Sequence, residues 1–232
     1  MKVKRWSVLG VGVCAALLLV TGCGNGTSFN NLLAGDPPAT GAAATSRPAG
    51  GPSATSCQVS NVVSCLMPKP DNATSPSGKW AKDGVMTVDD YVSWFSDSDR
   101  QNQDKAELAA AQFISAGYSH WQGSNGVSTE VVLMGFGSAG GATVWVNHDN
   151  TAFTNDTEIK KVTTPSVPGI SMYADQYQNH DDGSYTISAI GRFGTVVLED
   201  FAYGRTQNDP LAENQLAGWA ATQAGILKRA TS

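Results

Sequence analysis

Gly135-Phe136-Gly137-Ser138-Ala139-Gly140 is a G-x-G-x-x-G string. Between a strand and a helix, such glycines permit a tight turn and let a pyrophosphate approach a helix N-terminus. That chemistry also needs a second parallel strand ending in an acid about 20 residues on. Glu158 stands near that count, but it opens the next candidate strand, and only hairpin patterns follow. The string therefore reads as a glycine-rich turn packed tightly on its helix. Ser138 misses the nucleophile elbow by one position, because the elbow needs Gly two places before the serine and Phe136 stands there.

Asp97-Ser98-Asp99-Arg100-Gln101-Asn102 opens like a calcium loop. The glycine needed at the sixth place is replaced by Asn102, and the glutamate needed at the twelfth by Leu108. An exposed loop between helices is the simpler reading. His120 and two Asn-His-Asp triplets, around His148-Asp149 and His180-Asp181-Asp182, bring together groups that suit zinc. Their spacings fit no ligand pattern, and Asn and Asp are ordinary at turns. The three histidines could meet a serine in space, yet nothing local supports a triad. No catalytic, metal or cofactor-binding residue is assigned. The aromatics Trp80, Tyr91, Trp94, Trp121, Trp145 and Trp219 read as core, with some free to line a groove.

The elements that would position these residues follow from pattern. Thr87-Val88-Asp89-Asp90 is a helix start, a hydroxyl cap with acids in the first turn. Val88, Tyr91, Val92 and Phe95 then share a face. The spacing of Leu108, Ala111, Ile114 and Tyr118 predicts a second helix over 104–118. Residues 130–134 read as a buried strand, and 138–153 as a helix weakened by Gly140 and Gly141. The period then changes to two, with strands over 159–163, 171–178, 185–191 and 195–203. Asp209, Pro210 and Glu213 open a last helix, and Lys228 and Arg229 close its negative end. The order predicts an α+β domain, an antiparallel sheet with helices on one face in two layers.

Of 232 residues, 15 are Lys or Arg and 20 are Asp or Glu, for a net charge of −5. This balance argues against a nucleic-acid partner. Lys2, Lys4 and Arg5 precede an apolar run over 8–20, which is too short to span a membrane as a helix. A basic start, an apolar stretch and small residues after it make a signal peptide over 1–22. Val20-Thr21-Gly22-Cys23 resembles the lipobox of bacterial lipoproteins. The resemblance implies diacylation of Cys23, cleavage before it and acylation (commonly palmitate) of the new terminus. Two or three acyl chains anchor a protein stably where one does not. Loss of the leader removes three positive charges and takes the net charge from −5 to −8. An acidic domain does not seek anionic headgroups, so the lipid makes the membrane contact.

Residues 23–56 are mostly Gly, Ala, Pro, Ser, Thr and Asn, a composition that cannot offset its ordering entropy. They read as a disordered tether spanning roughly 30 Å on average and about 110 Å at full stretch. With Cys14 in the leader and Cys23 lipidated, Cys57 and Cys65 remain as an even pair outside the cytoplasm, which reads as a disulfide. It staples a loop-like collar over 57–79, and the globular domain runs over 80–232.

The run Ala109-Ala110-Ala111-Gln112-Phe113-Ile114-Ser115-Ala116-Gly117-Tyr118 leads to Trp121, Phe136-Gly137-Ser138-Ala139, Val167-Pro168-Gly169, an Asp182-Gly183 hairpin and a Gln- and Lys-bearing last helix. Over 104–232 this organisation is similar to actinobacterial envelope lipoproteins and the sensor-like extracellular domains related to them. The resemblance implies an extracytoplasmic domain on the outer face of the cell membrane that senses or binds an envelope molecule or partner protein without catalysis. The alternatives are a lipid or glycolipid carrier, which needs a deep apolar cavity, and an envelope hydrolase, which needs a converging Ser/His/Asp set or a metal.

Overall fold

The computed structural model describes residues 57–76, 83–96, 98–178 and 183–231. The leader, Cys23 and the tether lie outside these residues, as do Trp80, Asp97 and Asn179-His180-Asp181-Asp182. The described elements are a 3-10 turn at Val62–Cys65, β1 (Gly84–Met86), α1 (Val88–Phe95), α2 (Gln101–Ala110), β2 (Phe113–Gln122), β3 (Ser128–Phe136) and α3 (Ala139–Asn155). After them come β4 (Ile159–Val162), β5 (Ile170–Asp175), β6 (Tyr185–Phe193), β7 (Val196–Gly204) and α4 (Pro210–Thr231). The strands form one antiparallel sheet in the order β1-β2-β3-β7-β6-β5-β4. The α+β class and the antiparallel sheet with helices packed against it are as the sequence predicts.

Alternation along the central strands shows where the helices go. On β7, Val197, Phe201 and Tyr203 join a core with Tyr91 and Phe95 of α1, Leu108 of α2 and Trp145 of α3. Their neighbours Val196 and Leu198 join Ala224 and Leu227 of α4, and Ala202 joins Leu216 and Ala220. We call the first face the front and the second the back. The last helix covers the back, so the expected two layers become three, and every residue of β7 is buried.

The sequence signals that succeed are local. Thr87 Oγ1 accepts from Asp90 N at 3.1 Å, and Asp90 Oδ2 accepts from Thr87 N at 3.0 Å, a reciprocal cap of α1. Asp209 Oδ1 accepts from Leu211 N at 3.0 Å at the start of α4. Ser138 is the cap of α3, its Oγ accepting from Gly141 N at 3.1 Å, which gives the G-x-G-x-x-G segment a structural role. A Cβ on Gly141 would stand 1.9 Å from the Ala111 carbonyl, so only glycine admits this close approach.

The helix expected over 104–118 is a correction. α2 stops at Ala110, Gln112 takes a positive φ of 61°, and the chain continues as β2. Leu108, Ala111, Ile114 and Tyr118 do fit a helical stripe, but Ile114 is 47% exposed, and burial from Ala116 onward runs on both sides of a strand. Covering both faces overrides the helical count, because β2 is held between β1 and β3.

The collar packs on the back face. Cys57 and Cys65 form a disulfide, with Cα atoms 5.7 Å apart. Val62, Cys65 and Met67 are buried beside Trp121, Leu198 and Leu227. Gln223 of α4 pins them: its Oε1 accepts from Met67 N at 2.7 Å, and its Nε2 donates to the Cys65 carbonyl at 2.7 Å. Ser115 Oγ donates to the Val59 carbonyl at 2.7 Å. The seat itself is cut by two glycines on adjacent strands. A Cβ on Gly135 would lie 2.4 Å from the Val59 oxygen, and one on Gly117 would lie 3.0 Å from Val63 Cγ2.

Candidate functional site

The front face carries polar side chains where a sheet buried on both sides would hold apolar ones. The register explains their grouping. His120 of β2 pairs with Glu130 of β3, and Ser128 stands two residues before Glu130 on the same face. Tyr203 of β7 pairs with Ser128. His120 Nε2 and Ser128 Oγ share a hydrogen bond of 2.7 Å, and His120 Nδ1 lies 3.8 Å from Glu130 Oε1. Tyr203 donates its hydroxyl to Glu130 Oε2 at 3.0 Å. The backbone N–H of His120 donates to Asp83 Oδ1 at 3.0 Å, and Lys69 Nζ lies 2.5 Å from the other oxygen of that carboxylate. Trp94 packs edge-on against Tyr118 at 5.1 Å.

Burial pushes the Glu130 carboxyl up to about 7, against the opposing effect of the hydrogen bond from Tyr203. Burial and the charge of Glu130 together hold the Tyr118 hydroxyl well above the ordinary tyrosine value. Farther along the sheet edge, burial pushes Asp175 up to about 7, helped by Asp156 and Glu158 and opposed by a hydrogen bond from Thr186.

A second buried acid, Glu199 of β7, ties the helices down. Tyr91 of α1 donates to its two oxygens at 3.2 and 3.0 Å, and Trp145 Nε1 of α3 donates to Oε1 at 3.0 Å. His148 stacks on Trp145 at 5.1 Å. It lies 3.1 Å from Glu107 Oε2 on α2 and 3.2 Å from Asp149 Oδ1. The sequence reading sets His148-Asp149 at a turn or element end. Instead both lie inside α3, where they join it to α2, and Asp149 is buried. His120 and His148 therefore belong to separate groups, and His180 lies outside the described residues. Among the described residues no three His, Cys, Asp or Glu side chains come together as a metal site.

Ser128, His120 and Glu130 stand in the order hydroxyl, imidazole, acid of a serine hydrolase. Three features separate them from one. The imidazole–carboxyl distance of 3.8 Å is longer than a hydrogen bond. Burial favours the neutral form of the acid, which weakens it as a negative partner for the imidazole. Finally, β3 is paired on both sides at Ser128, and Val127 N donates to Asn125 Oδ1 at 3.1 Å. The amide just before the hydroxyl is thus already engaged and is not available to an oxyanion. Ser128 and Trp94 are half-buried, whereas His120, Glu130 and Tyr203 are buried.

Sequence reasoning singled out His120 but missed Ser128, Glu130, Glu199 and Tyr203. A signal was present: Glu130 abuts Val131-Val132-Leu133-Met134, and Glu199 follows Val196-Val197-Leu198. An acid inside an apolar run that is buried on both faces has to find partners.

No protein-family model matches the chain. No curated protein matches it either. Among solved structures it is similar to the extracellular domain of PknH from Mycobacterium tuberculosis, with 14% identity, 52% of this chain and 69% of that one covered, and a TM-score of 0.38.

Proposed function

We propose that this chain is an extracytoplasmic lipoprotein, anchored through Cys23, whose folded domain binds or senses an envelope ligand or partner without catalysis. The observation that supports the non-catalytic half is the Ser128–His120–Glu130 group, which has triad order but holds its acid 3.8 Å from the imidazole, buried and bonded to Tyr203. The anchoring half is supported by Val20-Thr21-Gly22-Cys23 and by the Cys57–Cys65 disulfide, a bond of oxidising compartments. Among the described residues no helix is long and apolar enough to cross a membrane. A hydrolase is the second reading, favoured by the 2.7 Å contact between Ser128 and His120.

One experiment separates the two. The full chain is treated with a phosphonofluoridate probe, and the peptide carrying Ser128 is weighed. The binding reading expects no adduct. An adduct on Ser128 that disappears in His120→Ala would overturn it. Native mass spectrometry of the protein recovered from its own envelope then looks for the ligand: a bound lipid or glycolipid would favour a carrier, and a bare mass a protein partner. Cys23→Ala should leave the protein in the soluble fraction, and retention on washed membranes refutes the anchor.

A further inference from the structure

The back face holds a second polar group, remote in character from the first. Asp200 of β7, Thr129 of β3 and Trp121 of β2 are each 0% exposed. Neither oxygen of Asp200 has a hydrogen-bond partner among the described residues, nor has Thr129 Oγ1, Trp121 Nε1 or Trp219 Nε1. The register puts these positions side by side. Trp121 pairs with Thr129, Thr129 with Ala202, and Asp200 with Val131, so Asp200 is the diagonal neighbour of Thr129 on one face. Trp219 of α4 meets Trp121 edge-on at 5.8 Å.

Buried polar groups in folded proteins are satisfied almost without exception, and each one left bare costs about 1–3 kcal/mol. These groups are complementary in kind. Two indole N–H groups can only donate, the hydroxyl can do both, and the carboxyl mainly accepts. Diagonal neighbours across an antiparallel pair stand about 7–8 Å apart, too far for direct contact between short side chains and suited to a single bridging molecule. The side chains around them are small. Asp200 is flanked by Ala189 and Ala202 on the sheet, and the buried face of α4 supplies Ala217, Ala220 and Ala224.

We infer that Asp200, Thr129 and Trp121, with Trp219 beside them, form an internal binding site for water under α4. The donors and acceptors present choose the ligand. Indole N–H groups can only donate and so disfavour a metal cation, and the carboxyl disfavours an anion. A neutral molecule that both donates and accepts satisfies the set, and a polar site with this many partners is the kind that holds ordered water. The site is independent of the front-face group, so either can fail without the other.

The test is cross-relaxation between water and the indole protons in the full chain, with Trp121→Phe used to assign the signal. The natural protein should show a long-lived water contact at the Trp121 indole proton. That contact should vanish in Asp200→Leu, which removes the acceptor and fills the space. If Asp200→Leu does not fold, Thr129→Val is read in its place, and the contact should weaken severalfold. No water contact in the natural protein overturns the inference. So does a contact that persists unchanged in the variant that is read.

Discussion

Glu130→Gln replaces a buried acid with a neutral side chain of the same shape that can still accept from Tyr203. The carboxyl is raised from 4.5 to about 7 in the folded protein. Its folded pKa lies above its unfolded one, so between these values the native state holds a proton that the unfolded chain has released. Stability is therefore full below about pH 4.5 and falls as pH rises towards 7. At about 1.4 kcal/mol per unit, the loss is about 3 kcal/mol across the window. With a urea dependence of about 1–3 kcal/mol per molar, the unfolding midpoint of the natural protein should fall relative to the variant by about 1–3 M. Asp175 and Asp200 titrate in both proteins and cancel in the difference. The comparison is repeated on a His120→Gln background, which removes the neighbouring imidazole as a variable. The assay is urea unfolding of both proteins between pH 4.5 and 8. A midpoint difference that stays constant over that range in both backgrounds refutes the raised pKa and the reasoning built on it.

Tyr91→Phe removes the bonds that link α1 to Glu199 and should cost about 1–3 kcal/mol by urea unfolding. The loss should be smaller in a Glu199→Gln background, and equal losses would deny the link. Gln223→Leu leaves Met67 N and the Cys65 carbonyl without their partner. It should destabilise by about 2–4 kcal/mol and speed proteolysis within 57–76 before the sheet is cut. Cys57→Ser opens a short loop and should cost about 2–3 kcal/mol, read as a fall of several degrees in Tm. A Tm unchanged by reduction of the natural protein would contradict it.

What could be read in advance was whatever the chain writes locally. The caps at Thr87 and Asp209 and the disulfide pair are decided by residues a few places apart. The first half of β2 reads as helix because Leu108, Ala111, Ile114 and Tyr118 satisfy a helical count as well as a turn followed by a strand. Only pairing with β1 and β3 decides between them, and that is long-range information. The back-face position of α4 is similar: its apolar stripe shows that it packs, but the side it takes depends on the whole sheet. The front-face site was half legible. His120 draws the eye as a rare titratable residue, whereas Ser128 and Tyr203 become part of the group only through register, across 75 residues of chain.

The seat that Gly117 and Gly135 cut for the collar has a consequence for ancestry. Two strands carry the imprint of a segment that precedes them by more than fifty residues, so these positions should change together. A homologue that has lost the pair matching Cys57 and Cys65 no longer needs both glycines, and larger side chains are then free to accumulate there. A homologue that keeps the pair must keep the glycines eighteen residues apart, together with an amide-bearing residue matching Gln223 on the last helix. This five-position signature is short enough to outlast the drift of the rest of the sequence. It offers a way to recognise kin where overall identity no longer does.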